Sequence, residues 1–142
     1  MNNNLKTSEI TIATSINPDS RIDIQKEAIE SWIKAGFRVV SLNETNEIKK
    51  LSNIFRNIDF VPQIRTAKAL FGKPYIYISD ILAYLRTQNS QIIGIINSDI
   101  YLKNTENFSS FLIQEAENSL IFGPRLEVKT FKSRDGKMDP FG

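Results

Sequence analysis

The sequence predicts an α/β fold: a Rossmann-like, mostly parallel sheet with helices on both faces. Short β-branched apolar runs alternate with segments whose apolar residues recur at helical spacing. The runs are bounded by Asn, Pro, Asp, Ser and Gly, which supply turn chemistry. The first of these runs is short, β-branched and apolar, as in a strand covered on both faces.

The first run, Ile10-Thr11-Ile12-Ala13-Thr14-Ser15-Ile16, reads as a buried strand broken by Asn17-Pro18-Asp19-Ser20. From Asp23 to Lys34, Ile24, Ala28, Ile29, Trp32 and Ile33 form a helical stripe, with Trp32 as packing. Gly36 is placed to end that helix in a left-handed conformation. Phe37 to Leu42 is a second strand, followed by a helix over 46–56 with Ile48, Leu51, Ile54 and Phe55 on one side. Ile58 to Val61 is a short third strand stopped by Pro62. Strand–helix–strand–helix–strand calls for parallel pairing with right-handed crossovers.

Residues 66–71 read as a helical turn closed by Gly72, and Lys73-Pro74 forces extended backbone. Ser79 or Asp80 is the expected cap of a helix running to Thr87. Ile92-Ile93-Gly94-Ile95-Ile96 is the most apolar run and is assigned the central strand. A helix over 108–118 and a strand or bent pair over 120–131 complete the pattern. The polar ends, 1–8 and 132–142, are expected to be flexible. The chain stops just after a loop, so it is expected to be a piece of something longer.

With 142 residues and no linker or repeat, one domain spanning 1–142 is expected. Apolar residues make up 41% and charged residues 24%, which is ordinary globular usage. A net charge of +2, with Lys and Arg scattered among nearly as many acids, argues against nucleic acid as a partner. There is no transmembrane-length apolar run and no secretory-type leader, so the cytoplasm is the expected compartment.

The chain has no Cys and no His. Disulfides, thiolate zinc sites and Ser-His or Cys-His pairs are thereby excluded. The remaining donors favour hard, oxygen-ligated ions such as Mg or Mn. There is no Gly-x-Gly-x-x-Gly, Walker loop or Gly-x-Ser-x-Gly elbow.

Open parallel sheets bind ligands beyond the carboxyl ends of their strands. The most informative end is Asn97-Ser98-Asp99, where a buried run delivers an amide, a hydroxyl and a carboxylate. One carboxylate together with substrate phosphates is a usual way to hold a Mg-type ion. The same tripeptide also suits a helix cap or an Asx-turn. Lys73 reads either as a phosphate contact or as a solvated loop lysine. Arg65 and Arg86 read as surface residues. Phe71, Tyr75 and Tyr77 read as core filling more than as a stacking surface.

The element order and the segment Gly94-Ile95-Ile96-Asn97-Ser98-Asp99-Ile100-Tyr101-Leu102 resemble glycosyltransferases of the GT-A fold, the nucleotide-diphospho-sugar transferase superfamily, over residues 9–130. The resemblance implies an Asp-x-Asp-like signature with Asp99 as ligand of a divalent Mn or Mg ion and Asn97 at the ribose side. An amide there adds no charge for the metal. Thr14 and Ser15 match the end of the first strand, where the family holds the nucleotide, and Asn43 and Glu44 match the end of the second, where the base is often recognised. The implied function is sugar transfer from a UDP- or GDP-linked nucleotide sugar to an unspecified acceptor. The alternative is a non-catalytic nucleotide-sugar-binding or regulatory module with a degenerate site. No catalytic base is assigned: Glu115, Glu117, Glu127, Asp135 and Asp139 are the carboxylates beyond the signature, and none stands in a pattern that marks one. The functional reading requires the Asp99 carboxylate to stand at the lip of the sheet unpaired by protein.

Overall fold

The computed structural model describes residues 9–103 and 105–125. The two tails expected to be flexible, and the 126–131 part of the expected last strand, lie outside the described residues. The elements run β1 (Ile10–Thr14), α1 (Ile22–Lys34), β2 (Arg38–Asn43), α2 (Thr45–Leu51), β3 (Asp59–Pro62), α3 (Lys68–Phe71), α4 (Ile78–Arg86), β4 (Ile92–Ile95) and α5 (Phe108–Glu115). All strand pairs are parallel and the order is β3-β2-β1-β4. The predicted α/β class is therefore observed.

Alternation along the strands divides the core between two faces. Ile10, Ile12 and Val39 meet Ala28, Ile29 and Trp32 of α1 and Leu51 of α2, with Phe108, Leu112 and Ile113 of α5 packed alongside. Ala13, Val40 and Leu42 meet Ile81 and Leu85 of α4 on the opposite face. Helices thus cover both sides of the sheet. None among the described residues is long and apolar enough to cross a membrane.

Two glycines act as the sequence predicts. Gly36 adopts φ +92° after α1. Phe37 N–H donates to Trp32 O and Gly36 N–H to Ile33 O, the paired bonds that close a helix through a left-handed residue. Gly72, at φ +71°, closes α3 by donating to Lys68 O. Gly94 has a different task. It pairs with Ile12 in register, and a Cβ there would lie 2.9 Å from Ile12 Cδ1, so its bareness lets the isoleucine fold across β4.

Several expectations are corrected. Among the described residues β4 is an edge strand, and β1, buried at all five positions, is central. Apolarity of a run fixes neither its neighbours nor its burial, and here Ile93 and Ile95 are each 38% exposed. Neither Ser79 nor Asp80 caps α4, whose N-cap position is Tyr77 with no side-chain bond. Asp80 instead accepts two bonds from Arg65, both 2.9 Å, and these bonds, followed by the charge of Asp80, raise the pKa of the guanidinium. A paired carboxylate is a stronger acceptor for a guanidinium than for one backbone N–H, which explains the exchange. Phe71 and Tyr75 do not fill the core; both are exposed. Helix α2 stops at Leu51, where Ile54 and Phe55 N–H both turn back to its carbonyl. Residues 120–125 form no strand.

Candidate functional site

The chain lays down β1, β2 and β3 in one direction and then returns to place β4 on the other side of β1. Strand order therefore reverses between β1 and β4, and the crevice beyond their carboxyl ends is where open α/β sheets take ligands. Ala13 pairs with Ile95, and Ile96 N–H donates to Ala13 O at 3.2 Å, so the two strands end side by side. Thr14 and Ser15 leave one strand there, and Asn97, Ser98 and Asp99 leave the other.

The turn holding Asp99 is hydrogen-bonded, with Ile100 N–H donating to Asn97 O at 3.1 Å. No helix follows it directly, so the helix-cap reading of this tripeptide falls away. Helix α1 anchors the turn at three places. Ser98 Oγ donates to Gln25 Oε1 at 2.7 Å, Trp32 Nε1 donates to Ile100 O at 2.7 Å, and Leu102 N–H donates to Ser31 Oγ at 2.9 Å.

Gln25 also shapes the loop leaving β1. Its Oε1 accepts Asn17 N–H, and its Nε2 donates to Asn17 O and Ser20 O, each at 2.8 Å. One buried amide thus joins the exits of β1 and β4. The sequence carries a signal for it: Gln25 lies three, four and seven residues before Ala28, Ile29 and Trp32, a polar residue on an apolar stripe. A buried amide at such a position needs partners for all its polar atoms, and here it finds them in the loops.

A second amide fixes the neighbouring strand end. Asn43 is fully buried. Its Nδ2 donates to Ile16 O and to Glu47 Oε2, each at 2.9 Å, and its Oδ1 accepts Ser41 Oγ at 2.6 Å. Ile16 N–H donates in turn to Ser41 Oγ at 3.1 Å. With both amide protons engaged, Asn43 holds the end of β1 against the end of β2. Glu44 leaves β2 half-buried, with its Oε1 3.8 Å from Lys68 Nζ.

The predicted residues thus divide. Thr14, Ser15, Asn97 and Asp99 lie at the adjacent exits of β1 and β4, and Asn43 and Glu44 stand at the adjoining end of β2. Thr14 is buried and Ser15 half-buried, while Asn97 is exposed. Lys73 is exposed on the excursion between β3 and α4 and makes no bond to these groups among the described residues.

Asp99 does not stand unpaired. Arg21 Nη1 donates to its Oδ2 at 3.1 Å, an ion pair at the surface with Asp99 about one-third exposed. Arg21 sits at the N-cap position of α1 in a left-handed conformation, φ 54° and ψ 36°, uncommon for a residue other than Gly. The sequence singled out the carboxylate but not this partner, 78 residues away.

Among the described residues no group of three or more His, Cys, Asp or Glu could hold a metal ion. The donor set therefore does not fit a closed protein cage. Any ion here would have to take most of its ligands from outside the protein, with Asp99 giving one carboxylate oxygen. A cavity of about 330 Å³ lies elsewhere, lined by Ile29, Ile33 and Ile54 among others at the approach to the amino end of β3, and Glu30 is the one carboxylate on its wall. Comparison with protein-family models, curated proteins and solved structures yields no match to this chain.

Proposed function

We propose that this chain is a glycosyltransferase-like domain that binds a UDP- or GDP-linked nucleotide sugar at the β1/β4 strand reversal and transfers the sugar to an acceptor. The observation that carries the reading is Asp99, a partly exposed carboxylate at the exit of β4, beside the exit of β1. GT-A glycosyltransferases, which the sequence resembles, use such a position for the donor diphosphate. In this reading Thr14 and Ser15 line the nucleotide, Glu44 approaches the base and Asn97 bonds the ribose. Asn43 acts behind them by fixing the β1 exit. Lys73 would have to reach the phosphates from a neighbouring loop.

Asp99 is the residue that would hold a Mn or Mg ion, together with oxygens of the diphosphate. When bound, such an ion neutralises charge building on the departing diphosphate. Arg21 must release Asp99, wholly or in part, for that to happen. The cytoplasm, where nucleotide sugars are plentiful, belongs to the same proposal.

One observation favours a second reading, a non-catalytic nucleotide-sugar-binding or regulatory module. Asp99 is already paired, and Asn97 adds no second charge. Turnover of any nucleotide sugar by the 142-residue chain eliminates that alternative.

Calorimetric titration of UDP and GDP in the presence of Mn, on the unaltered chain and on Asp99→Ala, tests the proposal. It predicts binding that the substitution weakens at least about tenfold, as expected when a charged contact is lost. Equal binding by both proteins, or none by either, removes Asp99 from any mechanism.

A further inference from the structure

The cavity beside α1 has an apolar floor and a charged rim. Helix α1 contributes Lys26, Ile29, Glu30 and Ile33, at the i, i+3, i+4 and i+7 spacing that places side chains on one helix face. The rest of the lining is the turn after α2, from residue 53 to residue 58. Ile54 N–H and Phe55 N–H both donate to Leu51 O at 2.9 Å, which coils the chain tightly there. Phe55 is thereby carried into the core, while Ile54 is left 37% exposed at the rim. Ile29 and Phe55 are buried members of one core cluster, and Ile33 and Ile58 pack against it. Part of the cavity wall is therefore the surface of the core itself.

Charge on the rim is unbalanced. Lys26 and Arg56 line the cavity, with Glu30 as its one carboxylate. None of the three forms an ion pair among the described residues. Arg56 makes one long bond, Nε to Asn53 O at 3.5 Å, and its terminal nitrogens make none among the described residues. Two cations against one acid leave a surplus of one positive charge. A void left by imperfect packing is lined by apolar groups, whereas here charged groups converge on one. At about 330 Å³ the cavity lies at the small end of ligand sites, which span about 300–1,000 Å³.

We infer that this cavity is a binding site for a small organic monocarboxylate. Lys26 and Arg56 hold the carboxylate, and Ile29, Ile33 and Phe55 take the apolar body that carries it. Charge and shape both point to that class of ligand. A guanidinium fork matches the two oxygens of a carboxylate, and an ammonium adds a point charge beside it. Glu30 repels a second negative charge, so the site favours a monoanion over a dianion. The isoleucines and Phe55 reward an apolar body, which a bare inorganic anion lacks. The inference is independent of what binds at the β1/β4 reversal.

The test is amide and methyl chemical-shift mapping of the full chain with phenylacetate, its neutral counterpart phenylacetamide, and acetate. Phenylacetate is expected to shift the methyl signals of Ile29, Ile33 and Ile54 and the amides of residues 53–58. It should bind more tightly than either comparison compound. Lys26→Gln and Arg56→Gln should each weaken its binding about two- to fivefold, the range for one exposed charge contact, and Glu30→Gln should strengthen it by a similar factor. All three side chains are exposed, so the variants should melt like the unaltered chain, and circular dichroism checks this. Failure of phenylacetate to shift the cavity residues, equal affinity for phenylacetamide, or undiminished binding by folded K26Q/R56Q overturns the inference. So does acetate binding as tightly as phenylacetate, which would reduce the site to surface charge.

Discussion

Arg21 and Asp99, 78 residues apart in sequence, meet at 3.1 Å across the mouth of the strand reversal. Both are partly exposed, so the pair contributes little to folding, about 0–1 kcal/mol. Its significance is local: it neutralises the carboxylate on which the proposed ligand chemistry depends. Arg21→Ala should leave stability nearly unchanged and raise the affinity for Mn together with UDP or GDP. Calorimetry on the variant measures the change. Weaker binding would instead mean that Arg21 itself holds the phosphates.

Gln25 carries a heavier structural load. Gln25→Leu keeps the apolar stripe of α1 but removes partners from Asn17 N–H, Asn17 O, Ser20 O and Ser98 Oγ. These groups are only partly buried, so water can replace some bonds, and a loss of about 2–3 kcal/mol is expected. Urea unfolding gives the value. Hydrogen exchange should quicken at residues 15–20 and 97–100 more than in β2.

Asn43→Asp tests the second amide and has a defined pH signature. The new carboxylate would face Ile16 O and the Glu47 carboxyl, both acceptors. Burial and like charge raise the folded-state pKa of such a group above its unfolded value of about 3.9. The folded state then binds the proton more tightly than the unfolded state. The variant should be closest to the unaltered protein below about pH 4 and lose stability as pH rises through the elevated folded pKa. Unfolding midpoints across this range check the sign, and a variant whose deficit shrinks as pH rises would contradict it.

How much of this was legible in the sequence depends on the range of the interactions. The β1, α1 and β2 assignments follow from local periodicity and from Gly36, whose left-handed turn is set by its own neighbours. Strand order is not local. Ile92 to Ile96 looked central because it is the most apolar run, yet β1, with two threonines, is flanked on both sides among the described residues. Asp80 looked like a cap until Arg65, fifteen residues earlier, took it. The aromatic residues of the 71–77 stretch are spaced like core residues, but their backbone follows a lobe braced by polar bonds.

The site divides in the same way. Asp99 and Ser15 could be nominated because strand ends are recognisable from turn chemistry. Arg21 could not, since nothing in its neighbourhood announces a partner 78 residues on. Gln25 was visible only as a polar interruption of an apolar stripe. Asn43 was singled out for polarity at a strand end, and its bonding turns that polarity inward.

The most direct measurement is amide chemical-shift mapping of the full chain during titration with UDP or GDP and Mg, a diamagnetic ion. The account predicts shifts concentrated at Ser15, Asn17 and residues 97–100, with Asp99→Ala abolishing them at the same ligand concentration. Shifts centred on the cavity between α1 and residues 53–58, or no shifts with either nucleotide, would contradict a binding site at the β1/β4 reversal.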